Sequence, residues 1–395
     1  MRNARSFDPG EWTAWLREHA DDDPSALALK YAGKKEVPLP YLLRQVKGRQ
    51  VARHKLPSWY REEALLYPDT LILEQCSSEA TALLKAGLAS GKKVADLSGG
   101  LGVDTWAFAQ KAREVLYCEP DAERCKAALH NFEVLGLKNV TVSCTDAETI
   151  LQQGLPGDTD LIYLDPSRRN AGGKKVYRLE DLQPEVLRLK ASLLQQAEEV
   201  LIKLSPMLDI REGLRQLPET RRVDVVAWKG ECRELLFQLS KKTQQLHISC
   251  IEAESESTGF EFSPEEEAQL PLKIAEPSTW LYEAHAAVRK AGPWKSLCKK
   301  PGVSMLHPNT HLFTSHELLS DFPGRAFRIE KVLPFKKEKI LDALQGHPAQ
   351  LVFYNFPATA KKVQQELKIP SGEPRYLFFV TLEDGGPAVL LAVRR

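Results

Sequence analysis

Two short runs hold most of the chemistry legible in this chain: Asp96-Leu97-Ser98-Gly99-Gly100-Leu101-Gly102 and Leu164-Asp165-Pro166-Ser167-Arg168-Arg169. The first reads as a strand ending in an acid, then a glycine turn, then a helix start. Gly99, Gly100 and Gly102 let the backbone come close to a bound nucleoside, because no Cβ stands in the way. The helix that follows, from Asp104-Thr105-Trp106, would point its first amides at a carboxylate or phosphate. A dinucleotide turn would need G-x-G-x-x-G, whereas Val103-Asp104-Thr105 follows Gly102 here. Asp96 would attract an ammonium and repel a pyrophosphate, which sets S-adenosylmethionine above NAD as the cofactor the turn suits.

Later strand ends carry more acids. Glu119 closes Leu116-Tyr117-Cys118-Glu119, where a carboxylate accepts from both ribose hydroxyls. Asp146, followed by Ala147, is placed to accept from an adenine amino group. Each acid has a plainer role open to it, the cap of the next helix. Asp165 is the candidate proton acceptor, with Pro166 fixing its turn. Arg168, Arg169, Lys174, Lys175 and Arg178 surround Gly172-Gly173, a loop that could hinge shut on a polyanion by guanidinium forks. The alternative is a solvated loop paired with Glu180 and Asp181. His307, His311 and His316 are expected to pack or touch substrate, not to bind metal, and Cys118, Cys125 and Cys144 to fill apolar space.

The elements that would position these groups follow from periodicity. Residues 1–75 read as a helical region broken by prolines. It holds a run from Arg44 to Arg61 that is free of acids and contains Trp59 and Tyr60. Residues 76–255 read as helices alternating with seven strands, ending in a hairpin around Lys229-Gly230, which means a largely parallel sheet covered on both faces. Seven glutamates between Glu252 and Glu267, without Lys or Arg, read as a linker. Residues 256–324 then hold a basic stretch from Arg289 to Lys300, and residues 325–395 read as a small α+β unit. Both basic stretches are weaker candidates for contact with a polyanion.

Composition sets the outer limits. A chain of 395 residues with 43% apolar and 27% charged residues is that of a multi-domain globular protein. No stretch has the apolar length of a membrane span, the first residues show no secretion signal, and seven scattered cysteines fit a reduced, cytoplasmic setting.

The series Asp96 to Gly102, Glu119, Asp146 and Asp165-Pro166 resembles motifs I to IV of class I S-adenosylmethionine-dependent methyltransferases. More narrowly, Leu73-Glu74-Gln75-Cys76-Ser77-Ser78-Glu79, the turn with Ser98, and Asp165-Pro166-Ser167-Arg168-Arg169 resemble the THUMP-like-domain methyltransferases. Leu306-His307-Pro308-Asn309-Thr310-His311-Leu312-Phe313 and the closing unit match the layout of that family, so the resemblance covers most of the chain. It implies an α/β protein: a Rossmann-like, seven-stranded class I methyltransferase sheet with a helical N-terminal region, a ferredoxin-like region and a THUMP-like α+β domain. It further implies a methyltransferase whose substrate is RNA, of tRNA or rRNA type, with no metal and no membrane. Carried over by position, Asp96, Ser98, Gly99, Gly100, Gly102, Asp104, Glu119, Asp146 and Ala147 would hold the cofactor. Asp165 and Pro166 would be catalytic, and Arg168, Arg169, Lys174 and Lys175 would bind substrate. Ser167 and Arg168 stand where amine methyltransferases carry a second proline and an aromatic, which argues against an exocyclic amine as acceptor. The rival readings are a methyltransferase for a small anionic metabolite and a non-catalytic RNA-binding protein that keeps the fold.

Overall fold

Prolines set the beginnings of the first helices. The computed structural model describes residues 12–68, 70–167, 178–242, 245–254 and 259–395. Its N-terminal helices are α1 (Thr13–Glu18), α2 (Pro24–Lys30), α3 (Leu39–Lys55), α4 (Pro57–Arg61) and α5 (Thr70–Gln75). Proline occupies the first turn of α2, α3 and α4, where its missing N–H breaks no helical hydrogen bond. The acid-free basic run binds these helices together. Arg49 donates to the Tyr60 and Glu62 carbonyls, Lys55 to those of Leu73 and Glu74, and Arg53 pairs with Asp21. Trp59 is fully buried, edge-on to Trp106. Part of this run thus serves the fold, while Arg44 and Arg61 are exposed.

The chain divides into two compact units, one of residues up to 221 with 236–243, the other of 222–235 with everything from 244. In the first, α6 (Glu79–Ala86) precedes β1 (Lys93–Asp96), with Ser78 accepting from the Thr81 amide as its cap. There follow α7 (Val103–Ala109), β2 (Glu114–Cys118), α8 (Ala122–Val134), β3 (Val140–Ser143), α9 (Ala147–Gln153), β4 (Leu161–Leu164), α10 (Val186–Gln196) and β5 (Glu199–Leu204). These five strands lie parallel in the order β3-β2-β1-β4-β5. Their carboxyl ends therefore share one edge, the edge at which parallel α/β sheets bind ligands. The helices up to α5 belong to the same core as this sheet: Leu56, Trp59, Tyr67 and Leu73 pack with Leu101, Trp106 and Phe132. Residue 75 is thus not a packing boundary.

After α11 (Ile210–Gln216) come β6 (Thr220–Trp228) and β7 (Glu231–Ser240), which continue the strand order as β5-β7-β6. All seven expected strands form, and β8 (His247–Glu252) and β9 (Phe260–Phe262) extend the sheet to nine.

The expected linker is largely structured. Beyond β9, its glutamates begin α12 (Pro264–Gln269) and meet the basic stretch that sequence reading kept separate. Lys299 pairs with Glu266 at 2.6 Å, and Glu267 accepts from the Lys295 and Ser296 amides. One ion pair and two amide bonds thus join the two runs, while Lys300 pairs with Asp321.

The second unit completes with β10 (Trp280–Ala284), α13 (Ala286–Ala291), α14 (Trp294–Leu297), β11 (Ser304–His307), β12 (Thr310–Ser315), β13 (Gly324–Pro334), α15 (Lys337–Leu344), β14 (Gln350–Tyr354), α16 (Ala360–Leu367), β15 (Arg375–Thr381) and β16 (Pro387–Arg394). They build a seven-stranded sheet in the order β11-β12-β10-β13-β16-β15-β14. β10 pairs with β13, so residues either side of 324 share one sheet. Gly324 is required there, because a Cβ would stand 2.1 Å from the Glu283 carbonyl oxygen. Ile340, Leu344, Val363 and Leu367 bury the inner faces of α15 and α16 against Leu377, Phe379, Val389 and Leu391. Among the described residues no helix is long and apolar enough to cross a membrane.

Candidate active site

The glycine turn is held from below by aromatic rings. A Cβ on Gly99 would lie 2.2 Å from the Tyr117 ring, and one on Gly102 2.7 Å from Phe132. These two glycines are therefore demanded by packing. Gly100 differs: its φ is +54° and the nearest atom to a Cβ would be the Ser98 carbonyl oxygen at 3.7 Å. Its outer side is the part of the turn open to a ligand. The Tyr117 hydroxyl donates to the Gly100 carbonyl at 2.8 Å, and the Gly100 amide donates to Glu119 Oε2 at 3.0 Å.

Glu119 is 5% exposed and also accepts from the Asp121 amide and from Arg124 through Oε1. A carboxylate oxygen has two acceptor sites, so Oε2 keeps one beyond its bond to Gly100. That free site meets the requirement for a ribose-binding acid. It is Asp121, not Glu119, that caps α8. Asp146 does cap its helix: exposed at the end of β3, it accepts from the Thr149 amide and hydroxyl. Those bonds, the amide first, hold its carboxyl below the usual range. Ala147 is buried as the first residue of α9.

Asp96 faces inward. It is 1% exposed and accepts from the Ser98 amide at 3.0 Å, the Ser98 hydroxyl at 3.2 Å and the Thr105 hydroxyl at 2.6 Å. Burial pushes its carboxyl up to about 7, against the pull of those donors. Since the folded-state value lies above the unfolded one, the folded protein binds the proton more tightly. Stability should therefore fall as pH rises from about 4 to about 7, at roughly 1.4 kcal/mol per pH unit at most. Asp96→Asn removes that proton, so its stability relative to wild type should rise across the same window. Urea unfolding of both proteins from pH 5 to 8 measures this; parallel curves would mean that Asp96 is already ionised.

Ser98, standing where a glycine is usual, joins the two sequence runs. Its hydroxyl donates to Asp96 and accepts from the Asp165 amide at 2.7 Å. Pro166 is buried, while the Asp165 side chain is 31% exposed at the end of β4. Ser167 pairs with Gln183 in a short bridge, amide to carbonyl in both directions. Arg168, Arg169, Lys174 and Lys175 lie outside the described residues, and Arg178 is exposed where the description resumes.

Behind Asp165 stands a set of groups that the sequence reading missed. Lys203, on β5 and 7% exposed, reaches Asp165 Oδ2 at 2.5 Å and Ser77 at 3.2 Å. Lys85, fully buried on α6, lies 3.2 Å from Asp104 Oδ1 and 3.0 Å from Ser77. Ser77 and Tyr163 both donate to Asp104 Oδ2 at 2.9 Å. Burial alone would raise the Asp104 carboxyl, but Lys85 and Lys203 outweigh it and hold the group below its ordinary value. The carboxylate of Asp104 is thus taken up by lysines. A signal for this existed: Lys203 interrupts the apolar run Val200-Leu201-Ile202, and a buried strand carries a lone charge only if it is paired.

Of the remaining candidates, Cys144 is exposed and does not fill apolar space, contrary to expectation. Burial raises the Cys118 and Cys125 thiols to about 12, and Cys125 donates to the Glu119 carbonyl. His311 stacks on Trp294 with ring centroids 4.2 Å apart, His316 bonds Ser278, and His307 accepts from the Asn309 amide. No group of metal-binding residues occurs among the described residues.

Comparison with known proteins bears on the fold and its domains. A ferredoxin-like domain family matches residues 280–323 and a THUMP domain-like family matches residues 324–395. A crystal structure from Porphyromonas gingivalis W83, provisionally assigned as a methyltransferase, superposes with a TM-score of 0.87 at 31% identity. It covers 99% of this chain and 100% of its own. Lesser likenesses include a provisionally assigned RNA methyltransferase of Pyrococcus horikoshii (16% identity, TM-score 0.33, 48% of this chain and 99% of that one). Another is an rRNA methylase of Streptococcus thermophilus (14% identity, TM-score 0.30, 42% of this chain and 94% of that one). No curated protein matches the chain.

Proposed function

Because the chain belongs to the family of the Porphyromonas gingivalis methyltransferase, with its ferredoxin-like and THUMP-like parts, we propose that it transfers a methyl group from S-adenosylmethionine to RNA. The observation that carries the chemistry is the meeting, at one sheet edge, of the open side of Gly100, the spare acceptor site of Glu119 and the partly exposed carboxylate of Asp165. These suit a nucleoside with a polar tail, so Gly100, Glu119 and Asp146 would hold it, with Asp96 and Ser98 keeping the turn in shape. When bound, S-adenosylmethionine supplies a methyl group already activated by its positive sulfur. The protein's task is then orientation plus a place for the acceptor's proton. The acceptor's proton passes to Asp165 and from there to water. Arg168, Arg169, Lys174 and Lys175, next along the chain, would hold substrate phosphate.

The RNA part of the reading rests on the THUMP-like match and on charge. Lys336, Lys337, Lys339, Lys361, Lys362 and Lys368 are all exposed on or beside α15 and α16, whose inner faces are buried. None takes part in the ion pairs found among the described residues, and only Glu338, Asp342 and Glu366 offset them on the two helices. Six solvated lysines on adjacent helices suit phosphates contacted without reading sequence.

The test is transfer of labelled methyl to total RNA from a strain deleted for this gene, with wild-type RNA as control. Label is expected in the deletion RNA alone, and fractionation then identifies the substrate. Replacing the six lysines by glutamine should weaken RNA binding and flatten its salt dependence, while leaving S-adenosylmethionine affinity unchanged. Cofactor binding without label in either RNA would favour a small anionic substrate. Absence of cofactor binding would leave a non-catalytic protein.

A further inference from the structure

Lys203 is the centre of the buried polar groups behind Asp165. Its ammonium touches Asp165 Oδ2 at 2.5 Å and Ser77 Oγ at 3.2 Å, with Asp104 Oδ2 at 4.0 Å. Beyond Asp104 lies Lys85, so charges alternate along the line Asp165, Lys203, Asp104, Lys85. Tyr163 and Ser77 close the remaining side of Asp104, which leaves that carboxylate held in place. Cys76 is also within electrostatic reach of Lys203, Asp104, Asp165 and Lys55. Burial raises its thiol to about 11, so it stays neutral and does not compete.

Consider what this does to Asp165. The backbone amide of Asp165 is fixed by Ser98, and one carboxylate oxygen is fixed by Lys203. A short side chain tied at both ends has one orientation left. Its other oxygen, Oδ1, has no protein partner among the described residues, and the side chain is partly exposed. We propose that Lys203 is the positioning residue of the transfer step: it pins Oδ2 and so presents Oδ1 to the methyl acceptor. The assignment rests on the methyltransferase reading above for its catalytic meaning, but its structural content stands apart from it.

A bare surface pairing would not do this. An exposed lysine has several rotamers and competing water, and contributes little to the orientation of its partner. Lys203 is instead buried, anchored by Ser77 from within, and set on a central strand whose backbone is fixed by pairing with β4. A substitution there should act on the turnover step and not on cofactor affinity. Lys85, which has no contact with Asp165 in this line, should act on stability instead.

The experiment compares wild type, Lys203→Met, Lys203→Gln and Lys203→Arg by two independent measurements. The first is the orientation of the Asp165 carboxylate in crystal structures of the four proteins. In the Met or Gln protein the carboxylate should lose its single orientation and occupy more than one rotamer, and the Arg protein should keep the wild-type one. A single, wild-type orientation in whichever of the Met and Gln proteins folds overturns the proposal. The second is single-turnover methyl transfer to total RNA from the deletion strain. Here a fall of about 30-fold or more is expected, with S-adenosylmethionine affinity within about threefold of wild type and partial recovery in Lys203→Arg. Equal loss of turnover and of cofactor affinity would mean a merely structural lysine, and would also overturn it. If wild type transfers nothing to RNA, the functional reading fails, and the carboxylate orientation still decides the role of Lys203.

Discussion

Asp165→Ala is expected to lower single-turnover methyl transfer by about 10²–10³-fold, with S-adenosylmethionine affinity within about threefold of wild type. The expectation follows from where the side chain stands. Its carboxylate is the exposed end of a buried chain of charges, at the carboxyl end of β4, beside the glycine turn that Ser98 ties to it. Removing it takes away the acceptor for the leaving proton and the group that orients the attacking atom. It does not take away a group that holds the turn, because Ser98 bonds the Asp165 backbone amide and not its side chain. Asp165→Asn keeps an oxygen for orientation but cannot take up the proton, and should fall between the two. Rates measured at saturating cofactor, alongside calorimetric affinity, separate these effects. An alanine variant within a few-fold of wild type would remove Asp165 from the reaction.

Lys85→Met is expected to destabilise the protein by about 3–5 kcal/mol, the range found when one partner of a buried ion pair is removed. Lys85 is fully buried, and its loss leaves Asp104 with Lys203 at 4.0 Å as its nearest remaining cation. The cost comes from the stranded carboxylate, so Lys85→Met combined with Asp104→Asn should recover most of it. The two lysines also hold the Asp104 carboxyl below its ordinary value, a contribution present above the unfolded value near 4 and lost as pH falls through the folded one. The gap between Lys85→Met and wild type should therefore narrow in acid. Urea unfolding of the two single variants and the double variant at neutral pH and stepwise from about pH 4 down to about pH 2.5 checks both statements. A Lys85→Met protein within 1 kcal/mol of wild type at neutral pH would show that water replaces the lysine.

Periodicity and turn chemistry made much of the fold legible. Apolar strands separated by amphipathic helices can bury their faces in few ways, so the parallel sheet, its hairpin and the closing α+β unit were all visible in the chain. Less visible was the extension of the sheet by β9, since three residues, Phe260–Phe262, are too short a run to show a period. The glutamates around them looked like a linker because their partners, Lys295, Ser296 and Lys299, lie some thirty positions away.

At the site, the sequence by itself determined which residues reach the sheet edge. Asp96, Glu119, Asp146 and Asp165 follow strands, and a strand's end is a local property. What only the tertiary structure decided is what each acid does there. Asp96 turns under the glycines, Glu119 keeps a free acceptor site, Asp146 caps a helix, and Asp165 meets a lysine from another strand. The four look alike in sequence because their roles depend on desolvation and on partners brought in from afar. Ser77 lies before α6, Lys85 on it, and Lys203 on β5. Local spacing says nothing of their meeting; it follows from the order in which the strands pair, which places β4 between β1 and β5.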